Sequence, residues 1–289
     1  MILLSVIIPI ACKPGSVQRI DKWMNEIKTF DIEIIVVEDK KYAIKNGELS
    51  ISRIIERMKE KAVVNYICKP FEGPADGRNI GKEFANGEWI AFWDSDDIPN
   101  VEASLEIIRE NRNSEIDIII GQYSEVSVSK NTTTQKSMDR NLYDLALNPG
   151  LWRMFFKNTK KFKELKFYST KMGEDQTFII DAFVKLNKIK FSCQPVYNYY
   201  VDQNFQLTKD KTAIEDLINT LRYVIYETQP ESFSLKQFKS NVILRMLITL
   251  IKDSISKHNY KTISFCIGNL RKVNIRSYFW YITRLYRAR

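Results

Sequence analysis

The sequence predicts an α/β protein with a mostly parallel central sheet flanked by helices and a helical C-terminal extension. Three observations carry that prediction. Apolar runs at 3–10, 32–37 and 89–93 alternate with segments of helical spacing, as strands buried on both faces do. Two of those runs lead straight into acids, Glu38-Asp39 and Asp94-Ser95-Asp96-Asp97. In an open parallel sheet, that places carboxylates at the edge where ligands bind. From Ala213 onward only helical spacing remains.

Taken in order, Leu3 to Ile10 is the first strand, and Val17, Ile20, Met24 and Ile27 space a helix over 16–30. Residues 31–37 form a second strand, 51–61 a helix and 63–68 a short strand. Gly73-Pro74 reads as a turn before a helix over 75–86 that Gly87 closes. Gly77 and Gly81 lie four apart on that helix, where glycine weakens it, so a close approach by another backbone or a ligand would compensate. Arg78, between them, suits either a phosphate or an ion pair with Asp76 or the strand-end acids. The run Trp89–Trp93 is a central strand, and a helix over 101–111 takes Asp97 or Asn100 as its N-cap.

Further on, 116–120 is a strand, Tyr123 to Val128 alternates like an exposed one, and 131–137 is a polar loop. The aromatic patch at 149–157 begins another strand, in which Trp152 is a core residue or a platform for a ligand. Glu174-Asp175 precedes a helical run to Leu186, as dipole-favoured acids or as a general base. Residues 191–200 end in Tyr197-Asn198-Tyr199-Tyr200, and a polar turn follows at 203–208. Three helices are spaced by Ile214 to Ile225, Phe238 to Ile251 and Ile263 to Leu270. The tail interleaves aromatics with arginine, which suits either a membrane interface or a packed appendage with a solvated basic face.

Composition narrows the chemistry. The 289 residues allow one large domain with an appendage. The four cysteines form no Cys-x-x-Cys pair, which argues against a zinc site or a disulfide framework and fits a reducing compartment. His258 is the only histidine, so carboxylates must carry any acid–base chemistry. The apolar start lacks a basic n-region and reads as a strand, and no run is long enough for a membrane span. The formal charge of +9 is concentrated at the end: from Lys236 onward there are twelve Lys and Arg against a single acid, Asp253.

The three acids at 94, 96 and 97 repel one another unless a positive charge lies between them. A hard divalent cation, Mn²⁺ or Mg²⁺, relieves that repulsion and completes its shell with water and substrate phosphates. The plainer alternative is a solvated acidic turn before a helix.

Together the segments resemble the family-2 glycosyltransferases of the GT-A fold. The matching pieces are Ser5–Pro9, Ile32–Asp39, Gly73–Gly81, Gly87–Asp97, Leu151-Trp152 and Gly173–Asp175, in the family's order. The resemblance covers 1–208, with 1–100 as the nucleotide-sugar half and 101–208 as the acceptor half; 209–289 is a basic helical region outside it. It implies that Pro9, Ile10 and the loop after them, with Asp39, line the base pocket, Asp39 accepting the imide hydrogen of uracil. Arg78 and Ser95 would lie at the nucleotide sugar. Asp96 would bind Mn²⁺ or Mg²⁺, with Asp94 reaching the ribose or a metal water. Asp175 would deprotonate the acceptor hydroxyl, with Glu174 the lesser candidate, and Trp152 would face the acceptor.

Two segments depart from the family pattern. Ile10-Ala11-Cys12 replaces the usual Tyr-Asn, and Glu38-Asp39-Lys40-Lys41 replaces Asp-Asp-Gly-Ser; both fall around the base pocket. The stretch 201–208 also lacks the basic residue often found there.

The expected function is inverting, metal-dependent transfer from a nucleotide-diphosphate sugar, a UDP-sugar, to a hydroxyl of a glycan or glycolipid in surface polysaccharide synthesis. A cytoplasmic protein is expected, with the basic tail in peripheral contact with the inner membrane face and no nucleic-acid partner. The competing readings are a nucleotidyltransferase on a related fold and a non-catalytic module binding nucleic acid or an anionic surface. The first would need a Gly-rich, basic loop after strand one, of which Ala11–Ser16 is a poor version.

Overall fold

A computed structural model describes residues 2–10, 16–24, 26–27, 29–43, 51–136, 140–170, 172–201 and 213–287. The loop after Pro9 at 11–15 and the polar turn at 203–208 lie outside the described residues. The described chain forms two compact units. The first comprises Met1–Met138, Gly150–Ser169 and Lys185–Gln206, and the second Asp139–Pro149, Thr170–Val184 and Leu207–Arg289. The change in pattern near 208 thus falls at the last piece of the second unit, which two earlier segments join.

The first unit holds the whole sheet. Strands β1 (Leu4–Ile10), β2 (Ile32–Asp39), β3 (Val63–Lys69) and β4 (Trp89–Phe92) pair in parallel in the order β3-β2-β1-β4. The other half is mixed. Strand β8 (Met154–Lys157) runs antiparallel between β4 and β6 (Ile118–Ser127), and β9 (Ile189–Val201) lies parallel to β6. The two-residue β5 (Ile98–Pro99) closes against β9. Among the strands, two expectations change. The runs at 116–120 and 123–128 are one strand, β6, and the 131–137 loop contains β7 (Thr132–Gln135), which pairs back onto β6.

Chain order reverses between β1 and β4, so their carboxyl ends flank the crevice at which such sheets bind ligands. Ile7 pairs with Phe92, which sets Pro9 beside Asp94 two residues further on. Trp23 and Trp93 meet edge to face beneath this edge, centroids 5.4 Å apart.

Helices α1 (Ser16–Met24), α2 (Lys40–Ala43) and α3 (Ile51–Lys59) connect the first strands. Helix α4 (Gly73–Lys82) begins at the Gly73-Pro74 pair expected to be a turn. Proline is tolerated in a first helical turn, where its missing N–H has no partner to lose. The glycines of α4 resolve as packing rather than ligand contact. A Cβ at Gly77 would lie 2.9 Å from Pro9 Cβ, and one at Gly81 2.4 Å from Ile7 Cγ2. Their spacing of four matches alternate residues of β1, so the helix lies directly on the strand. Helix α5 (Val101–Glu110) is capped by Asn100, whose Oδ1 accepts from Ala103 N at 3.0 Å; Asp97 is used elsewhere.

At the opposite, amino edge of the sheet Glu33 is 1% exposed. Its carboxylate accepts from Ser5 Oγ (2.5 Å), Asn65 Nδ2 (3.0 Å), and Asn86 N (2.9 Å) and Nδ2 (3.0 Å). Gly87 N donates in turn to Ser5 Oγ at 2.7 Å. A buried charge is tolerable only when its lone pairs are filled in this way. The network fixes the connection from α4 into β4, and with it the start of the strand that ends in the acids.

The second unit is helical: α6 (Leu142–Leu145), most of α8 (Glu174–Lys185), α9 (Ala213–Tyr226), α10 (Phe233–Ser256), α11 (Tyr260–Leu270) and α12 (Ile275–Arg287), with α7 (Lys160–Lys163) belonging to the first unit. The 24-residue α10 is its axis, about 36 Å long at 1.5 Å per residue. A buried polar layer sets the register of α12 on it. Gln237 Nε2 donates to Asn241 Oδ1 (2.9 Å) and Ser277 Oγ (2.8 Å), and Asn274 N donates to Ser240 Oγ (2.7 Å). His258, just after α10, takes a left-handed conformation, φ 56°. Among the described residues no helix is long and apolar enough to cross a membrane.

Candidate active site

β4 delivers its acids by simple geometry: four buried residues end at Phe92, and the chain turns through Asp94–Asp97 before the short β5. Asp94 and Asp96 are half-buried at this turn, while Ser95 and Asp97 point inward. Arg78 Nη2 donates to Asp94 Oδ1 at 2.9 Å, so the ion-pair reading of Arg78 holds, and with a strand-end acid rather than Asp76. Asp76 instead accepts from Ser169 Oγ (3.1 Å) and Glu72 N (3.1 Å).

Asp97 is 2% exposed and is not available to the crevice. Its Oδ1 accepts from Tyr200 N at 2.7 Å. Burial raises its pKa well above the usual carboxylate range, and the charges of Asp94 and Asp96 push the same way, opposed by the Tyr200 N–H. Of three acids in sequence, two therefore face outward.

Strand β9 and helix α1 meet the same turn. Tyr197 Oη accepts from Asp94 N at 3.1 Å, and Arg19 Nη1 donates to the Asp96 carbonyl oxygen at 2.7 Å. The Arg19 guanidinium lies 4.5 Å from the centroid of the Tyr200 ring. Burial, and then the charges of Asp97 and Asp94, raise the Tyr197 pKa, so its hydroxyl stays protonated. The sequence singled out neither Arg19 nor the role of Tyr197. The one available signal was the Tyr197–Tyr200 cluster, since successive aromatics at a strand end alternate between core and rim.

The other expected residues are placed as follows. Pro9 is half-buried against α4, whereas the Ile10 side chain is wholly buried, so only its backbone can face a ligand. Asp39 is buried at the carboxyl end of β2, next to β1, and its Oδ1 accepts from Lys41 N at 3.1 Å. Its neighbour Glu38 accepts a hydrogen bond from Tyr66 Oη, and burial together with that carboxylate raises the Tyr66 pKa.

Trp152 is 7% exposed. It stacks on Tyr197 (4.6 Å) and Tyr199 (5.2 Å) and meets Tyr123 edge-on (4.9 Å). That packing makes it a wall that supports Tyr197 and leaves little ring face for a sugar.

Glu174 and Asp175 open α8 and belong to the second unit. Gly173, at φ +86°, makes the entry turn, and a Cβ there would also strike Thr220 Cγ2 at 2.7 Å. Glu174 is buried, whereas Asp175 is half-buried with Oδ1 accepting from Gln176 N at 2.8 Å. Of the pair, Asp175 is the one with access to solvent. Tyr223 Oη donates to Asp181 at 2.8 Å and fixes the middle of α8.

Among the described residues no group of three or more His, Cys, Asp or Glu could hold a metal by protein ligands alone. Asp94 and Asp96 nonetheless fit Mn²⁺ or Mg²⁺. They offer two hard carboxylate donors at a sheet edge, and these cations take one or two such donors and fill the remaining positions with water and phosphate oxygens.

Comparison with known proteins bears on the family and the fold. The family model described as glycosyl transferase family 2 matches residues 5–179. A poly(ribitol-phosphate) beta-glucosyltransferase of Bacillus spizizenii is 28% identical over 209 residues, which are 70% of this chain and 32% of that protein. The poly(ribitol-phosphate) beta-N-acetylglucosaminyltransferase TarP of Staphylococcus aureus is 25% identical over 188 residues, 62% of this chain and 55% of that one. The chain thus spans about a third of the first relative and about half of the second.

Among solved structures, S. aureus TarS 1-349 in complex with UDP-GlcNAc superposes with a TM-score of 0.72 at 18% identity, over 96% of this chain and 83% of that one. A mannosyltransferase from Pyrobaculum calidifontis, in complex with GDP-Man and Mn²⁺, gives 0.54 at 11% identity, over 98% and 84%. These likenesses show the GT-A fold, and the family match spans well over half of the sequence. The chain belongs to glycosyl transferase family 2.

Proposed function

We propose that the chain transfers a sugar, with inversion, from a nucleotide-diphosphate sugar to an acceptor hydroxyl. UDP-sugar is the donor we favour, since the TarS complexes contain UDP-GlcNAc and UDP. The acceptor we favour is a polyol-phosphate polymer of the surface polysaccharide class, because two relatives are poly(ribitol-phosphate) glycosyltransferases. The observation that carries the reading is the outward pair Asp94 and Asp96 at the sheet's switch point, with Arg78 on Asp94.

In this reading residues 1–100 hold the donor and 101–208 the acceptor. Asp39 accepts the imide hydrogen of the base, Pro9 and the Ile10 backbone flank it, and Asp94 and Ser95 border the ribose. Asp96, with Asp94, holds the divalent cation, which when bound stabilises the departing diphosphate as a Lewis acid. Arg78 adds positive charge beside those acids. Asp175 takes the proton of the acceptor hydroxyl as it attacks. Glu174, being buried, holds the start of α8.

Trp152 acts on the acceptor side through Tyr197 and Tyr199. The basic C-terminal region makes peripheral contact with an anionic membrane face. No observation favours nucleotidyl transfer or a non-catalytic binding role.

The test is sugar release and transfer from UDP-sugars with Mn²⁺, comparing the wild type with Asp96→Ala and Asp175→Asn. We expect losses of at least about 100-fold in each, the scale of a general base or an electrostatic stabiliser. Full activity in both variants removes the mechanism.

A further inference from the structure

We propose that Tyr197 and Arg19, from outside the turn, and Asp97, from within it, are positioning residues that hold the acidic turn Asp94–Asp97 in its binding shape. The inference rests on the reading of Asp94 and Asp96 as the cation-bearing pair. Each of the three contacts fixes a different residue of the turn. Tyr197 Oη takes the Asp94 N–H (3.1 Å), Arg19 gives a charged donor to the Asp96 carbonyl (2.7 Å), and Asp97 reaches back to Tyr200 N (2.7 Å).

The turn needs such a grip. Three carboxylates in four positions repel one another, and a free loop would relax by spreading them. Turning Asp97 inward removes one charge from the crevice. The two main-chain contacts then fix the backbone from which the remaining two project. A cation meeting a preformed pair does not have to overcome their separation, which is the advantage of preorganised ligands.

The grips are themselves braced. Tyr197 is wholly buried and stacked on Trp152 at 4.6 Å, and Arg19 is seated on the Tyr200 ring at 4.5 Å. Tyr197 and Tyr200 come from β9 and Arg19 from α1, so the shape of the turn reports the packing of elements far apart in sequence.

Tyr197→Phe removes the hydroxyl that accepts from Asp94 N and hydrogen-bonds the Asp97 side chain, and keeps the stack on Trp152. Hydrogen exchange of the peptide covering Asp94–Ile98 reads the turn directly, without donor or cation. We expect the Asp94 amide to exchange about tenfold faster, the equivalent of one net hydrogen bond. Titration with Mn²⁺ alone should show affinity weakened about three- to tenfold, and excess Mn²⁺ should restore kcat, with the melting temperature within about 3 °C of the wild type. Asp97→Asn, which keeps Oδ1 as an acceptor, should recover the Mn²⁺ affinity that Asp97→Ala loses.

Unchanged exchange and unchanged Mn²⁺ affinity in Tyr197→Phe would overturn the proposal, as would an activity loss that excess Mn²⁺ does not restore. A wild type that binds no Mn²⁺ but shows the exchange difference would remove the metal reading of the site and leave the grip on the turn standing.

Discussion

Lys82, on α4, donates to the carbonyl oxygens of Phe162 (3.4 Å) and Leu165 and lies 4.8 Å from the Phe162 ring centroid. Burial lowers its pKa to about 8, and the charges of Lys166 and Lys185 push it the same way. Below pH 8 the folded and unfolded chains both carry the proton, and the fold bears the full cost of the buried charge. Between about 8 and the ordinary 10.5 the folded chain has released a proton that the unfolded chain still holds, so stability rises with pH. Urea unfolding of the wild type and Lys82→Met should therefore differ by a constant below pH 8, and the wild type should gain relative to the variant from 8 to 10.5. A difference that ignores pH would show that Lys82 titrates normally. Glu33 is the opposite case, a buried charge that is fully satisfied. Glu33→Ala strands the donors of Ser5, Asn65 and Asn86. It should cost about 3 kcal/mol, read as a lower urea midpoint at unchanged slope.

Between α4 and β1 the same physics acts through contact. Gly81→Ala puts a methyl group 2.4 Å from Ile7 Cγ2, so the helix must move off the strand, at a cost of about 2 kcal/mol. Ile7→Ala opens space at that point, and the double variant should be less destabilised than the sum of the two single ones; strict additivity would mean that the helix does not rest on Ile7. Because Arg78 stands between the two glycines, Gly81→Ala should also weaken its reach to Asp94 and lower kcat/KM. This packing shows what the sequence disclosed and what it withheld. The strand-end acids were legible because an apolar run that meets carboxylates has few other meanings in a parallel sheet. The glycine spacing disclosed a close approach but not its partners, because these are side chains, Pro9 and Ile7, on a strand far earlier in the chain. Asp97 and Asn100 looked equivalent as caps; only the arrival of Tyr200 on β9 separates them. Strand β7 was hidden because Thr132–Gln135 is polar and exposed and pairs only by its backbone to β6. Arg19 was hidden because its partner is a main-chain oxygen, which leaves no trace in residue type.

For the molecule as a whole, the uneven charge and the surface of the second unit point to one further consequence of the proposed function. Ile275, Phe279 and Ile282 stand at i, i+4 and i+7 on α12, and are 68%, 65% and 50% exposed. On the other side of the same helix, Ser277 and Trp280 are buried. Arg276 lies 4.9 Å from the ring of Phe233 on α10, and Lys272, just before α12, 5.6 Å from that of Tyr226 on α9, so cations sit beside exposed aromatics near this helix. A polyanionic acceptor would use the cations and leave the isoleucines and phenylalanine in water. An anionic bilayer uses both, at about 1 kcal/mol for each Lys or Arg near its surface and more from the apolar side chains that enter the headgroup layer. Vesicles of phosphatidylglycerol and phosphatidylcholine should therefore bind the protein, and vesicles of phosphatidylcholine alone should bind it weakly. About 0.5 M salt should reduce the difference, since it shortens the Debye length to a few ångströms. Phe279→Ser combined with Ile282→Ser should lower binding to the anionic vesicles at least about tenfold at any salt, from the lost apolar burial. Arg276→Glu should lower it at low salt and much less at high salt. If the serine variant binds the vesicles as the wild type does, or changes the sedimentation of the protein in the absence of lipid, the stripe meets something other than a membrane.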